Sequence, residues 1–550
     1  MDNARLIIAI VLSMLVFFAW DYFFVSKQKV PPPKPKIQAE QAVKQEPAAP
    51  KDNKIAGAPP PLTVPKQPEL PARTITVDTP LYTVKISEKG AEFNSFVLKK
   101  YRETIKPESP FYEMIPEEMH TGTVRLGLAE NSLAGLSNAV YSTGQKPDRV
   151  DVRDKSREIS FFWTSPQGVV VEKQFVFSPT TYLIGLNVIV RNDSGQSFKD
   201  KLFLSLFAPD PGKASRIGFE GPCALIDGKV EEIKTKKIKD KHVYTGTMKW
   251  LAIESRYFLS ALIPAQPEAA SMRLFLGQND ILENQYVHPE SVIQPGSQHV
   301  FKHFLFLGPK STKVLNQIDY DLNKAVDFGV FDFLAKPLVW IMNFLYEHAI
   351  PNYGIAIIIL TILTKIILWP LGTKSYKSMA EMKKIQPLMA ELKEKYGDDK
   401  KKMNEELMKL YKTYKINPLG GCLPMVVQIP VFFALYRMLY GAIELRHAPF
   451  FGWITDLSAP DRLFRFDFNV PFMQPPYGIP VLTIIMGATM LLQQRMSPPP
   501  GDPTQAKMMM LMPVVFTVIF INFSSGLVLY WMVNNILSIA QQYYVQKKQK

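Results

Sequence analysis

Cysteine is almost missing from this 550-residue chain: Cys223 and Cys422 are its two, far apart and in unlike surroundings. That excludes a disulfide scaffold and a cysteine-built zinc site. Histidine is scarce at seven, and no group of residues has metal-ligand spacing. A phosphate-cradling G-x-x-x-x-G-K-[ST] loop is absent, because Gly372-Thr-Lys-Ser375 lacks the first glycine. A G-x-S-x-G nucleophile elbow is absent too. A Ser-His-Asp triad assembled from distant positions stays open. Acidic residues are the scarcer sign, 50 against 64 Lys and Arg, for a formal charge of +14. That excess suits nucleic acid, anionic lipid or a lysine-rich cytoplasmic face, and its placement decides among them. The expectation is a protein that is not an enzyme, holds no metal or cofactor and consumes no nucleotide.

What is present comes in blocks. Residues 6–25 form an apolar run of the length that spans a bilayer, with Trp20 and Tyr22 at one end as interfacial residues. A cleaved signal peptide is the rival reading; no small-x-small cleavage site follows, so residues 1–26 read as an uncleaved anchor. Residues 27–72 hold 12 prolines and read as an extended linker. Residues 73–327 read as one large all-β sandwich. The stretches 159–163, 169–177, 182–190 and 299–307 are rich in β-branched and aromatic residues and are bounded by turn residues. A short helix over 310–325 closes this domain. Residues 328–350 read as an amphipathic interfacial helix, with Phe331, Leu334, Leu338, Ile341, Leu345 and Tyr346 on its apolar face. A last helix of the β domain is the alternative. Five more apolar segments, 354–371, 420–440, 479–492, 508–523 and 527–540, make a five-span core over 351–545.

Charge orients these spans. Segment 372–418 carries 12 Lys and no Arg against seven acids, while segment 442–478 has three Arg and four acids. The positive-inside rule puts the lysine-rich segment, the basic tail 546–550 and both termini in the cytoplasm, and the β domain outside. Within 372–418 apolar residues recur at about helical spacing on either side of Gly397-Asp398-Asp399, which reads as an antiparallel helical hairpin. Its lysines serve topology and solvation, or also meet acidic lipid or RNA.

One cation lies inside a span. At 1.5 Å per residue, Lys365 sits about 16 Å from Gly354 and about 9 Å from Leu371. A lysine there costs roughly 2.5–3.5 kcal/mol on insertion scales, so it faces water or protein, or snorkels to the headgroups. The core spans contain no Asp or Glu to pair with it, which argues against a proton-coupled transporter. They do contain Gln428, Thr483, Gln493, Thr517, Asn522, Asn534, Asn535 and Ser538. Helix-to-helix hydrogen bonding accounts for any one of these; together with Lys365 they suggest a hydrated, positively charged cavity. Thr361 lies one turn from Lys365 on the same face.

Several motifs carry a resemblance. Asn417-Pro-Leu-Gly-Gly-Cys-Leu-Pro-Met425, Gln428-Ile-Pro-Val-Phe432, Trp369-Pro-Leu, Asp456-Leu-Ser458, Gln493 to Pro498 and Ser525-Gly-Leu-Val-Leu-Tyr530 resemble the YidC/Oxa insertase family over about 330–545. The one-plus-five layout with a large external β domain is similar to its Gram-negative form. The resemblance implies a bacterial inner-membrane protein that inserts and helps fold other membrane proteins, alone or with the Sec translocon. The route is a groove open to cytoplasm and lipid. It implies nascent membrane proteins as clients, with the basic hairpin and tail meeting the ribosome or a targeting receptor. The groove residues are then Lys365, Thr361, Gln428, Phe432, Tyr530 and Trp531, with Asn534 beside them. Family members usually carry Arg where this chain has Lys365, so charge is kept and the bidentate fork is lost. A secondary transporter or channel, and a membrane-anchored carbohydrate-binding protein or enzyme acting through the β domain, stand as alternatives.

Overall fold

The computed structural model describes residues 72–211, 218–396, 399–414, 423–497 and 503–548. The chain divides into two units, residues 1–70 and 71–550. The expected first span and nearly all of the linker lie outside the described residues.

Residues 74–309 form the β domain. Its smaller sheet has five strands, in the order 111–113, 92–102, 82–87, 74–78 and 149–151, the last pair parallel. Its larger sheet has 12 strands. The four stretches expected as strands all fall on its strands Arg157–Thr164, Val169–Phe177, Leu183–Asn192 and Gln298–Pro309, with Tyr182 one residue before the third. Val169–Phe177 alternates strictly, with Val169, Val171, Lys173, Phe175 and Phe177 turned inward. The two sheets face each other through aromatic rings: Phe93 of the small sheet lies 5.1 Å from Phe175 of the large one. The short helix expected over 310–325 is instead a single turn at Thr312–Leu315 and a 3-10 turn at Leu322–Ala325.

One inward position holds a charge. The Lys173 Nζ is fully buried and donates to the carbonyls of Gly90, Ala91 and Val124 at 3.0, 2.7 and 2.8 Å. Burial pushes this amine down to about 7, against the pull of Glu92.

Eight helices carry the rest of the described chain: α1 (Asp332–His348), α2 (Tyr353–Lys384), α3 (Gln386–Tyr396), α4 (Lys400–Thr413), α5 (Leu423–Gly441), α6 (Val481–Met496), α7 (Pro503–Phe520) and α8 (Ser525–Lys547). Among the described residues, α2 alone is long and apolar enough to cross a membrane by length and composition. The other four expected spans fall on α5 to α8. α2 does not stop where the apolar run ends. Pro370 is accommodated inside it, and the helix continues into the first arm of the lysine-rich hairpin. The hairpin itself is α3 and α4, with the Asp399 carboxylate capping Lys401 and Lys402 N–H at 3.1 and 3.0 Å.

In α1 the apolar stripe of the amphipathic stretch packs against protein. Ala335, Val339 and Met342 are buried, and Phe331, Leu334, Leu338, Ile341 and Leu345 pack partly buried against the protein core. The exposed apolar side chains are Phe333, Trp340 and Phe344. The helix has two apolar sides: the expected stripe is the one that packs on protein, and the exposed one was not part of the expectation.

The β domain meets the helices through arginines. Arg256 donates from Nε to the Tyr440 carbonyl at 2.9 Å, and its guanidinium lies 3.8 Å from that ring's centroid. Arg446 reaches the Glu103 carbonyl at 3.2 Å. Ser311 donates to Glu444 at 2.9 Å. The C-terminal end of α5 and the segment after it therefore lie on the β-domain side of the helical core.

Candidate functional site

Helical spacing assembles the site. On α8, Tyr530, Asn534, Ser538 and Gln541 follow each other at four, four and three residues and share one face. On α2, Lys365, Leu368, Gly372 and Tyr376 do the same. Gln428 and Val431 of α5 supply a third wall. Lys365, Gln428, Tyr530, Asn534, Tyr376 and Gln541 line one small cavity between these helices.

The polar groups are joined. Lys365 Nζ donates to Ser538 Oγ at 2.6 Å, and Ser538 Oγ donates to the Asn534 carbonyl at 2.7 Å. Gln428 Nε2 donates to Asn534 Oδ1 at 3.0 Å. Among the described residues no carboxylate forms an ion pair with Lys365. A half-buried ammonium held by one hydroxyl keeps most of its field for whatever enters the cavity.

The remaining expected residues lie to either side. Thr361 is buried, and its hydroxyl donates back to the Ile357 carbonyl at 2.6 Å, so it faces its own helix and not the cavity. Thr364 lines the cavity in its place. Phe432 and Trp531 meet edge to face at 4.6 Å, and Trp531 also meets Phe520 at 5.1 Å. Tyr436 and Phe523 extend this aromatic layer. Phe432 is one turn beyond Gln428 toward the β-domain end of α5, about 6 Å along the axis. The aromatic layer therefore lies on the β-domain side of the cavity.

Sequence reasoning missed Gln541, whose Nε2 donates to the Trp369 carbonyl at 2.8 Å and Thr373 Oγ1 at 3.1 Å. It lies one residue past the apolar run 527–540, but the spacing from Tyr530 could have found it. A Cβ on Gly372 would come within 2.8 Å of Gln541 Oε1, so glycine lets α2 and α8 close here. Among the described residues no group of acidic, histidine or cysteine side chains could hold a metal ion. The arrangement offers a positive charge, hydrogen-bond donors and acceptors, and an aromatic layer to one side.

Comparison with known proteins follows the same division. The family model described as "YidC periplasmic domain" matches residues 74–341, and that described as "60Kd inner membrane protein" matches residues 344–550. A Syntrophobacter fumaroxidans protein named "Membrane protein insertase YidC" is 41% identical, covering 99% of each chain. One of the same name from Syntrophus aciditrophicus is 41% identical, covering 99% of this chain and 100% of its own. A solved structure described as an active YidC insertase aligns with 86% of this chain and 94% of its own, at 18% identity and a TM-score of 0.37.

Proposed function

The chain belongs to the YidC family of membrane protein insertases, inner-membrane proteins with a periplasmic β domain, and we propose that its clients pass by way of the cavity around Lys365. A client's apolar segment gains about 25 cal/mol per Å² on leaving water, so burial alone supplies the driving force. The obstacle is the polar flank that has to cross. A positive, hydrogen-bonding recess partway through the bilayer lowers the cost for an acidic flank. The observation that carries this reading is the Lys365 ammonium, held by Ser538 beside Gln428 and Asn534 with no described carboxylate against it. In this reading no covalent step and no nucleotide is used. Both termini and the α3–α4 hairpin are cytoplasmic, and the hairpin's lysines meet the ribosome, a targeting receptor or anionic lipid. The protein works alone or beside the Sec translocon.

Reconstitution tests it. The purified protein in liposomes with acidic lipid should protect the outer segment of a short single-span client from protease, above empty liposomes. With an acidic outer segment, Lys365→Ala should cut the protected fraction about tenfold, the change that roughly 1.4 kcal/mol of lost interaction produces. Lys365→Arg should keep it, because charge is the shared property. An Ala variant as active as the parent on every client overturns the role given to the charge.

A further inference from the structure

The segment between α5 and α6 is a hairpin that presents bare aromatic rings. Its strands are Leu463–Phe466 and Tyr477–Ile479, with Leu463 paired to Ile479. Phe464, Phe468 and Phe472 are 73%, 65% and 79% exposed. Two of them hold a backbone that bulky side chains rarely adopt, with φ of +48° at Phe464 and +65° at Phe472. Such strain persists where surrounding contacts over-determine it, and those contacts are present. Asn522 accepts from Gln474 N–H at 2.8 Å and donates to the Phe472 carbonyl at 2.7 Å. Arg462, itself buried, donates to the carbonyls of Pro476, Asp461 and Ile521, each at 2.8 Å. The hairpin is thus bolted to the turn between α7 and α8 while its rings are held outward.

Its height is fixed by the same bonds. It grows from Ile479, two residues before α6, and rests on Ile521 and Asn522, just past the end of α7. These are ends of apolar helices. They lie on the β-domain side, because Ser525 N–H bonds the Ala459 carbonyl and Arg256 contacts Tyr440. Near the same helix ends, Ile484 and Ile485 of α6 and Val518 and Ile519 of α7 are exposed as well. On the same side of the molecule, α1 exposes Phe333, Trp340 and Phe344. Aromatic rings mixed with Arg465 and Asp467 at the ends of apolar helices are the chemistry of a headgroup boundary. We propose that the hairpin is a membrane anchor: Phe464, Phe468 and Phe472 insert into the periplasmic leaflet and hold the α6 and α7 ends at a set depth.

This inference rests on the membrane location shared with the family and not on the cavity, so it and the Lys365 reading fail separately. The test uses the full chain with Cys223 and Cys422 replaced by alanine and a bimane label on Asn469→Cys. The vesicles are phosphatidylethanolamine and phosphatidylglycerol carrying a nitroxide on the upper acyl chain. A label on Val140→Cys, an exposed β-domain position, is the aqueous reference. The label at 469 should be quenched by the lipid nitroxide and be severalfold less quenched by iodide than the label at 140. Combining Phe464→Ser, Phe468→Ser and Phe472→Ser should move it into water. Iodide quenching equal to that at 140, lipid quenching that survives the triple change, or shielding that appears only when a client is added would each overturn the proposal.

Discussion

Lys173 and Lys365 show two uses of one side chain. Lys365 has a single described hydroxyl partner and faces a cavity, whereas the fully buried Lys173 ammonium meets three carbonyls. Replacing Lys173 by Met keeps the volume and leaves those carbonyls without a donor, which should cost about 3 kcal/mol of stability. Urea unfolding of the full chain, followed by tryptophan fluorescence, measures it. The pH dependence has a definite sign. The folded amine is held at about 7, below its unfolded value of 10.5, so the burial cost is complete below about 7. It is relieved as pH rises, because the unfolded chain then binds more protons. The parent should gain stability relative to Lys173→Met between about pH 7 and 10.5, and a difference that is flat with pH would contradict this. The sequence marks 169–177 as a strand without singling out Lys173, whose inward place follows from the strict alternation of that strand. Its partners are not legible there, because Gly90 and Val124 lie some 83 and 49 residues away.

Among the elements, the close helix pairs depend on missing side chains. A Cβ on Gly487 of α6 would collide with the Thr517 hydroxyl of α7, whose own proton goes to the Pro513 carbonyl at 2.7 Å. Gly487→Val should therefore force α6 and α7 apart at about 1–3 kcal/mol, read as a lower thermal midpoint in detergent. Gly195→Val, in open space on a β-domain turn, should leave the midpoint unchanged. Such a pair also marks the limit of reading elements from hydropathy. The apolar run 354–371 located a span, but its helix continues to Lys384, because lysines that end an apolar run do not end a helix. The apolar stripe on 328–350 located α1, yet it faces protein while Phe333 and Trp340 face out. Periodicity reports that a face is apolar and is silent about what covers it.

For the whole molecule, strand content and blocked apolar runs made the division into a β domain and a helical region legible in the sequence. The cavity was partly legible: Lys365, Gln428, Tyr530 and Asn534 converge, while Thr361 turns away and Gln541 joins. What the sequence could not carry is how the β domain sits on the helices, since Arg446 and Glu103 are separated by 343 residues. Among the contacts at that joint are Arg256, Arg446 and the Ser311–Glu444 bond, with the Arg446 guanidinium also lying over the Tyr112 and Phe258 rings. Arg256→Ala combined with Arg446→Ala should loosen the domain without unfolding it. A spin-label pair at Val292→Cys and Asn469→Cys should show a distance distribution clearly broader than in the parent, and an unchanged distribution would mean the joint is held elsewhere.

Three carbonyls converging on a buried cation make, in coordination chemistry, a monovalent-ion site, and in this β-sandwich the ion is tethered to strand 169–177. A free ion at such a place leaves when the outside medium changes or a chelator is added. A covalently attached one cannot. The domain faces a compartment whose salt follows the environment, and below about pH 7, where this amine is protonated, its centre carries an ion that no dilution can remove. Trimming the tether with Lys173→Gly should turn the site into an ordinary one, with the folded state regaining stability as ammonium or methylammonium is added and the parent showing no such response.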